Sequence, residues 1–353
     1  MTGAQTSARK LDHLRICCEL PVEAGDAGFG EVRLVHSALP ECDMDRISTA
    51  TQFLGHQFEA PLMIAAMTGG HPEATPINAR LAAAAERFGL GIGVGSERAA
   101  LEDPSLAPSY RVVRDAAPSA FVVANLGAVQ LRDHGQAWAD RAVELCEADA
   151  LAIHLNFLQE AIQPEGDHDA TGCMAAIEAL CDQAAYPVIV KETGNGISGE
   201  VARRLNGAGV AAIDTGGMGG TSWAVIEAVR ARETGRAGDG RLQALGELFR
   251  DWGIPTVASL IEVTRCGGPV IATGGVRTGL DIAKAIALGA DLAGMALPLL
   301  GPARSGQEAL DTVIERVIDE LRVAMFLTGS PEIPVLRRAR TIVTGRIRDL
   351  TAI

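Results

Sequence analysis

Aromatic side chains are scarce: 4% of the 353 residues, with two Tyr and three Trp. The core must therefore be built mostly from small aliphatic residues, which suits close helix–sheet packing. Basic runs are missing too. Lys and Arg number 31 against 44 Asp and Glu, for a net charge of −13. Nucleic acid and anionic membranes are poor partners for such a chain. The seven cysteines (Cys17, Cys18, Cys42, Cys146, Cys173, Cys181 and Cys266) form no CxxC pair, and their number is odd. A disulfide framework or zinc site is disfavoured, and a reducing cytoplasm is the expected location. The stretch "MTGAQTSARKLDHLRICC" has no signal-peptide core, and no uncharged apolar run approaches the ~20 residues of a membrane span. No GxGxxG fingerprint follows a strand, so a Rossmann dinucleotide site is not expected.

What is present is a repeat of short apolar runs, each followed by a helical pattern. The runs are "PLMIAAMTGG", "GLGIGVGS", "AFVVANLGA", "ALAIHLN", "YPVIVKETG", "GVAAIDTGG", "GPVIATGG" and "DLAGMALP". Near-continuous apolar strands alternating with helices imply a parallel sheet covered on both faces. Eight units predict an α/β fold, a (β/α)8 TIM barrel with an N-terminal arm and a C-terminal helical tail. The expected division is an arm over 1–60, a barrel over 61–325 and a tail over 326–353. The polar segment Arg232 to Gln243 reads as a mobile loop after strand six.

Strand four carries the first chemical signal. In "LAIHLNFLQEAIQPEGD" side chains alternate. Leu151, Ile153 and Leu155 should face the helices, and Ala152, His154 and Asn156 the barrel interior. Gln159 and Glu160 follow on the emerging loop. Strand three ends in Asn125, strand five in Lys191 and Glu192, and strand six in Asp214. Active sites of this fold form at that end, so these residues predict a polar ring around one cavity.

"ATGGVRTGLDIAKAIALGADLAGMALP" suggests the cofactor. Gly274 and Gly275 end strand seven, and a helix starts near Thr278 or Gly279. Glycines admit an anion to the backbone, and helix N-terminal N–H groups bind it. The "GGMGGTSW" loop could add the hydroxyls of Thr221 and Ser222. Together these point to flavin mononucleotide (FMN) across the barrel mouth. Lys191 would sit near the electron-rich edge of the reduced ring, with Met67 to Gly70, Ser96 and Asn125 along it.

These stretches, with "RKLDHL", "AAMTGG", "GSERAA", "NLGAVQ", "VIVKETGNGIS" and "WGIPT", resemble the type 2 isopentenyl-diphosphate isomerases over nearly the whole chain. The resemblance implies reduced FMN, Mg²⁺, and NADPH or another reductant to reduce the flavin. It implies interconversion of isopentenyl and dimethylallyl diphosphate in a homotetramer or homo-octamer, with no nucleic acid or membrane partner. By resemblance, Arg9, Lys10, His13, Ser96, Glu97, Arg98, Asn156 and Gln159 belong to the substrate site, and Glu160 binds the metal. The flavin site is implied to include Ala66, Met67, Thr68, Gly69, Ser96, Asn125, Lys191, Gly216, Thr221, Gly274, Gly275, Val276, Arg277, Met295, Ala296 and Leu297. Two departures stand out. Glu97 replaces the usual glutamine beside the diphosphate, where a carboxylate needs Arg98 or another cation. Gly216 replaces a frequent serine near the flavin phosphate.

Isomerising an isolated alkene needs a well-placed acid. No Cys–Glu acid–base pair is evident at the barrel mouth, and an amide such as Gln159 titrates far from neutrality. Reduced flavin is the better proton carrier, with Gln159 relaying the proton or positioning the alkene. Gln159, His154 and Lys191 are the catalytic candidates. His154 is either a base near neutrality or a hydrogen-bonded histidine under the flavin or near the diphosphate. The rivals are a hydroxy-acid oxidase, which wants a His–Arg pair, a nucleotide dehydrogenase, which wants a cysteine in the strand-six loop, and a flavin- or phosphate-binding sensor without catalysis.

Overall fold

The computed structural model describes residues 3–234 and 239–351. Eight strands close into a barrel: β1 (Leu62–Ile64), β2 (Gly91–Gly93), β3 (Val122–Gly127), β4 (Ala150–Leu155), β5 (Val188–Glu192), β6 (Ala212–Asp214), β7 (Val270–Ala272) and β8 (Leu292–Met295). Each pairs in parallel with its neighbours, and β8 closes on β1 with Met295 opposite Ile64. The expected (β/α)8 barrel is the observed fold.

The alternation read from β4 holds. Leu151 and Ile153 lie in the core between strands and helices, whereas Ala150 and Ala152 join the cluster inside the barrel. That inner cluster includes Phe53 and Phe58, from the antiparallel pair Thr51–Phe53 and His56–Phe58, together with Phe121. Phe53 meets both other rings edge-on. Three of the eight phenylalanines thus fill the end of the barrel opposite the polar mouth.

Register sets the mouth. Lys191 lies opposite His154 on one side and Asp214 on the other, so the three residues stand at one level across β4, β5 and β6. The N-terminal helix Gly3–Glu19 brings Arg9, Lys10 and His13 to this end and packs on the helix Trp223–Thr234. Farther along, Val32–Leu34 pairs antiparallel with Thr341–Val343.

Two expectations need correction. The described part of Arg232 to Gln243 is helical, in Trp223–Thr234 and Asp239–Leu248, and residues 235–238 lie outside the described residues. The polar glycine-rich composition masked the helical ends. The helix Gln307–Leu327 also runs past residue 325, where the tail was expected to begin. Among the described residues no helix is long and apolar enough to cross a membrane.

Candidate active site

One cavity takes residues from the C-terminal ends of all eight barrel strands and from the N-terminal helix. Arg9, Lys10, His13, Ser96, Arg98, Asn156, Gln159, Glu160, His154 and Lys191 line it. So do Ala66, Met67, Thr68, Asn125, Gly216, Thr221, Gly274, Gly275, Arg277, Ala296 and Leu297. Sequence positions 9 to 297 therefore converge on one space.

Four expected residues do not line this cavity. Gly69 turns its backbone against the Tyr110 ring, and Val276 and Met295 are almost fully buried. Glu97 is the larger correction. Its side chain is fully buried, and Arg98 pairs with Glu102 at 2.8 Å rather than with Glu97. Ser222 is also withdrawn, because its hydroxyl donates to Arg250 O at 2.7 Å.

At one part of the cavity cations crowd together. Arg9 is buried, and its Nε and Nη1 have no hydrogen-bond partner. Burial, together with the charges of Arg9 and Arg98, lowers Lys10 to about 7. Unpaired guanidinium hydrogens and a destabilised ammonium call for an anion that accepts several charge-assisted hydrogen bonds.

Beside them lies a group that sequence reasoning missed. Glu227 is fully buried, yet its oxygens are engaged by His13 Nε2 at 2.9 Å, Gln159 Nε2 at 3.0 Å and Arg230. Burial opposes its charge, but His13, Arg230 and Gln159 outweigh it and hold the carboxyl below the usual range. Arg230 also donates to Glu165 at 2.9 Å. The Gln159 amide is thereby oriented: its nitrogen faces Glu227 and its oxygen accepts from Asn156 Nδ2 at 3.1 Å.

Glu160 accepts from Asn156 Nδ2 at 2.9 Å and from Asp167 N at 2.8 Å, both neutral donors. No cation among the described residues lies in hydrogen-bond contact with its carboxyl group. Among the described residues no three His, Cys, Asp or Glu side chains gather as a metal cage. Such a site fits Mg²⁺, which takes one or two carboxylates and completes its shell with phosphate oxygens and water.

His154 behaves unlike a base near neutrality. Burial first, then the charges of Lys191 and Lys10, lower it to about 3. Asn125 Nδ2 donates to Val94 O at 3.0 Å, so Asn125 Oδ1 must accept, and His154 Nδ1 donates to it at 2.8 Å. The neutral Nδ1–H tautomer follows. Cys17 also lines the cavity, but burial pushes its thiol up to about 12, which leaves no thiolate for acid–base work.

On the β6–β8 side two glycine turns pack together. Gly274 and Gly275 have left-handed φ of 102° and 71°, and their N–H groups find no acceptor among the described residues. A Cβ on Gly275 would lie 2.4 Å from Gly219 O. The helix Gly279–Ala287 starts here with a capping box between Thr278 and Asp281. The N–H groups of Arg277, Thr278 and Gly279 at the helix start are taken by Asp281 and Glu320, so the donors left for a phosphate are those of the Gly274–Gly275 turn. Arg277 reaches the same rim, where it pairs with Glu23. Gly216 has φ 46°, and a Cβ there would lie 2.1 Å from Glu192 O. A serine does not fit this backbone. Lys191 donates to that same Glu192 carbonyl at 2.8 Å.

The family pattern of FMN-dependent dehydrogenases matches residues 128–343, more than half of the chain. An isopentenyl-diphosphate delta-isomerase of Methanoregula boonei is 63% identical over 98% of this chain and 96% of its own length. The chain belongs to the isopentenyl-diphosphate delta-isomerase family. The Methanosarcina barkeri member of this isomerase family is 56% identical over 96% of this chain and 93% of its own length. A solved mandelate oxidase carrying an FMN adduct shares the fold, with TM-score 0.63 and 20% identity, covering 97% of this chain and 98% of that one.

Proposed function

We propose that the chain interconverts isopentenyl and dimethylallyl diphosphate in isoprenoid biosynthesis, with reduced FMN as cofactor and no net redox change. The carrying observation is the cluster of Arg9, Lys10 and Arg98 on one part of the cavity wall, where the buried Arg9 Nε and Nη1 have no hydrogen-bond partner and the nearest carboxylate, Glu165, stands 4.0 Å from Nη1; in a protein of net charge −13 such a cluster asks for a diphosphate. Mg²⁺ held by Glu160 would share that charge. The Gly274–Gly275 turn would hold the FMN phosphate, and Thr68, Asn125, Lys191 and Thr221 would line the flavin.

Reduced flavin, when bound, supplies an acid–base nitrogen and a flat face for the alkene. The chain's own residues supply binding and orientation. Gln159, fixed between Glu227 and Asn156, presents its remaining amide N–H to the cavity and positions the hydrocarbon. Glu227, ionised and close to that amide, favours positive charge developing nearby. Lys191, anchored on Glu192 O, would neutralise negative charge on the flavin. A hydroxy-acid oxidase would need a basic histidine beside an arginine. Here His13 is bound to Glu227, His154 is held neutral, and Arg277 is occupied by Glu23. The cytoplasm and a homotetrameric or homo-octameric assembly complete the proposal.

The test is anaerobic incubation of the FMN-loaded, pre-reduced protein with isopentenyl diphosphate and Mg²⁺. The expected result is dimethylallyl diphosphate formed over many turnovers with the flavin still reduced. Reductant consumed in proportion to product would overturn the isomerase reading in favour of an oxidoreductase.

A further inference from the structure

Glu97 stands between Ser96 and Arg98, which both line the cavity, but its own side chain points away into the core. It is fully buried. Its Oε2 accepts from Asn125 N at 2.9 Å, its Oε1 has no partner in good hydrogen-bond geometry, and the Cys146 thiol beside the carboxyl is at most a weak donor to it. Glu97 N in turn donates to Asn125 O at 2.9 Å, so the two residues are joined twice.

The neighbours offer no counter-charge. Across from the carboxyl are the Cys146 thiol, at the end of the helix Ala128–Leu145, and the Tyr110 phenol, from the helix Pro108–Ala116. Burial pushes both of these groups up, so neither carries charge at neutral pH. On the following helix Arg98 is turned to Glu102. Arg114, the cation nearest Cys146, is held by Asp149. A carboxylate with one backbone donor, a weak thiol donor and no cation in a dry core is strongly disfavoured, and such a group takes up a proton instead. Burial accordingly raises Glu97 to about 8.

The position matters because Asn125 does two jobs. Its backbone holds Glu97, and its side chain orients His154 at the cavity wall through the 2.8 Å contact. The Glu97 carbonyl also accepts from Ala100 N and Leu101 N, which starts the helix that presents Arg98. We propose that Glu97 works as a neutral carboxylic acid, a positioning residue that fixes Asn125, and through it His154, beside the anion pocket, and that loss of its proton loosens this wall in alkali. This role is independent of the reaction the site performs, and it can be read without turnover.

The sign of the effect is fixed by linkage. A carboxyl raised in the folded protein binds a proton there that the unfolded chain has lost, so its contribution falls as pH rises from about 4.5 to about 8 and then levels. The experiment compares the full FMN-loaded chain with its Glu97→Gln variant, which copies the neutral acid in shape. Two readouts are followed from pH 4.5 to 9.5: thermal midpoint, and affinity for inorganic pyrophosphate by calorimetry. The variant should be as stable as the parent in acid, its advantage should grow as pH rises from about 4.5 to about 8, and the difference should be constant above that. The ratio of the two dissociation constants should stay near one below pH 7. Above pH 8 the parent should become the weaker binder by roughly threefold to tenfold, the scale of a new negative charge near the pocket in a protein medium. Any loss caused by Lys10 deprotonating is common to both proteins and cancels in the ratio. A stability difference and a binding ratio that ignore pH would overturn the proposal. So would a Glu97→Gln protein that does not fold, because the isostere of a neutral acid must be tolerated.

Discussion

Gln159 Nε2 donates to Glu227 Oε1 at 3.0 Å, and the same oxygen lies 2.9 Å from His13 Nε2. The amide is thus held by a charge that enters from a helix 68 residues away in sequence. Glu227→Gln should leave FMN affinity unchanged and lower turnover about tenfold to a hundredfold, the scale of a hydrogen bond to a charged group. Gln159→Ala should act in the same direction, and the double variant should fall short of the product of both. Steady-state kinetics under excess reductant check this. A pure rise in KM for either variant would separate Gln159 from the reacting carbons.

Lys10 provides a second prediction. Burial and the flanking arginines lower it to about 7 from 10.5, so its charge costs stability below about pH 7 and that cost fades as pH rises toward 10.5. A bound diphosphate restores the charge. Pyrophosphate binding at pH 8 should therefore take up to about one proton more in the parent than in Lys10→Arg. Calorimetry in buffers of different ionisation enthalpy measures the difference.

His154 should remain a neutral Nδ1–H imidazole down to at least pH 5, visible in its ring ¹⁵N shifts. Because its folded value of about 3 lies below 6.5, it withdraws stability as pH falls below about 6.5. His154→Gln should flatten that acid loss. A protonated imidazole at pH 6 in the ligand-free protein would contradict the site electrostatics.

The glycine turns should tolerate little. Gly216→Ser must move a Cβ away from Glu192 O, 2.1 Å distant, at a left-handed φ, and should cost about 1–3 kcal/mol or more. Gly275→Asp should add both a clash with Gly219 O and a like charge at the phosphate position. FMN retention and thermal midpoint report both effects. Full retention by Gly275→Asp would place the phosphate elsewhere.

Much of this was legible from residues alone. Strand periods located the barrel because buried parallel strands are nearly all apolar, and the alternation of β4 showed which face His154 takes. Glu227 was not legible. In "SWAVIEAVRARET" it looks like a solvent-facing charge, although Trp223, Glu227 and Arg230 fall at helical i, i+4 and i+7 spacing and so share one face. Glu97 was misread for the opposite reason. Its neighbours Ser96 and Arg98 do reach the cavity, but the chain is turning into a helix there, and adjacent side chains diverge.

Ile347 N donates to Glu31 Oε2 at 2.7 Å across a sequence separation of 316 residues, next to the ribbon of Val32–Leu34 with Thr341–Val343. Contacts of such span are late events, because the loop they close contains the whole barrel. During synthesis the stretch around Glu31 leaves the ribosome early and waits for nearly everything else. The barrel strands can pair in order meanwhile. The segment that follows the Arg9–Lys10 helix thus gains this partner only once Ile347 has been made, after all eight barrel strands, so the anchoring of that segment comes later than the barrel it leans on.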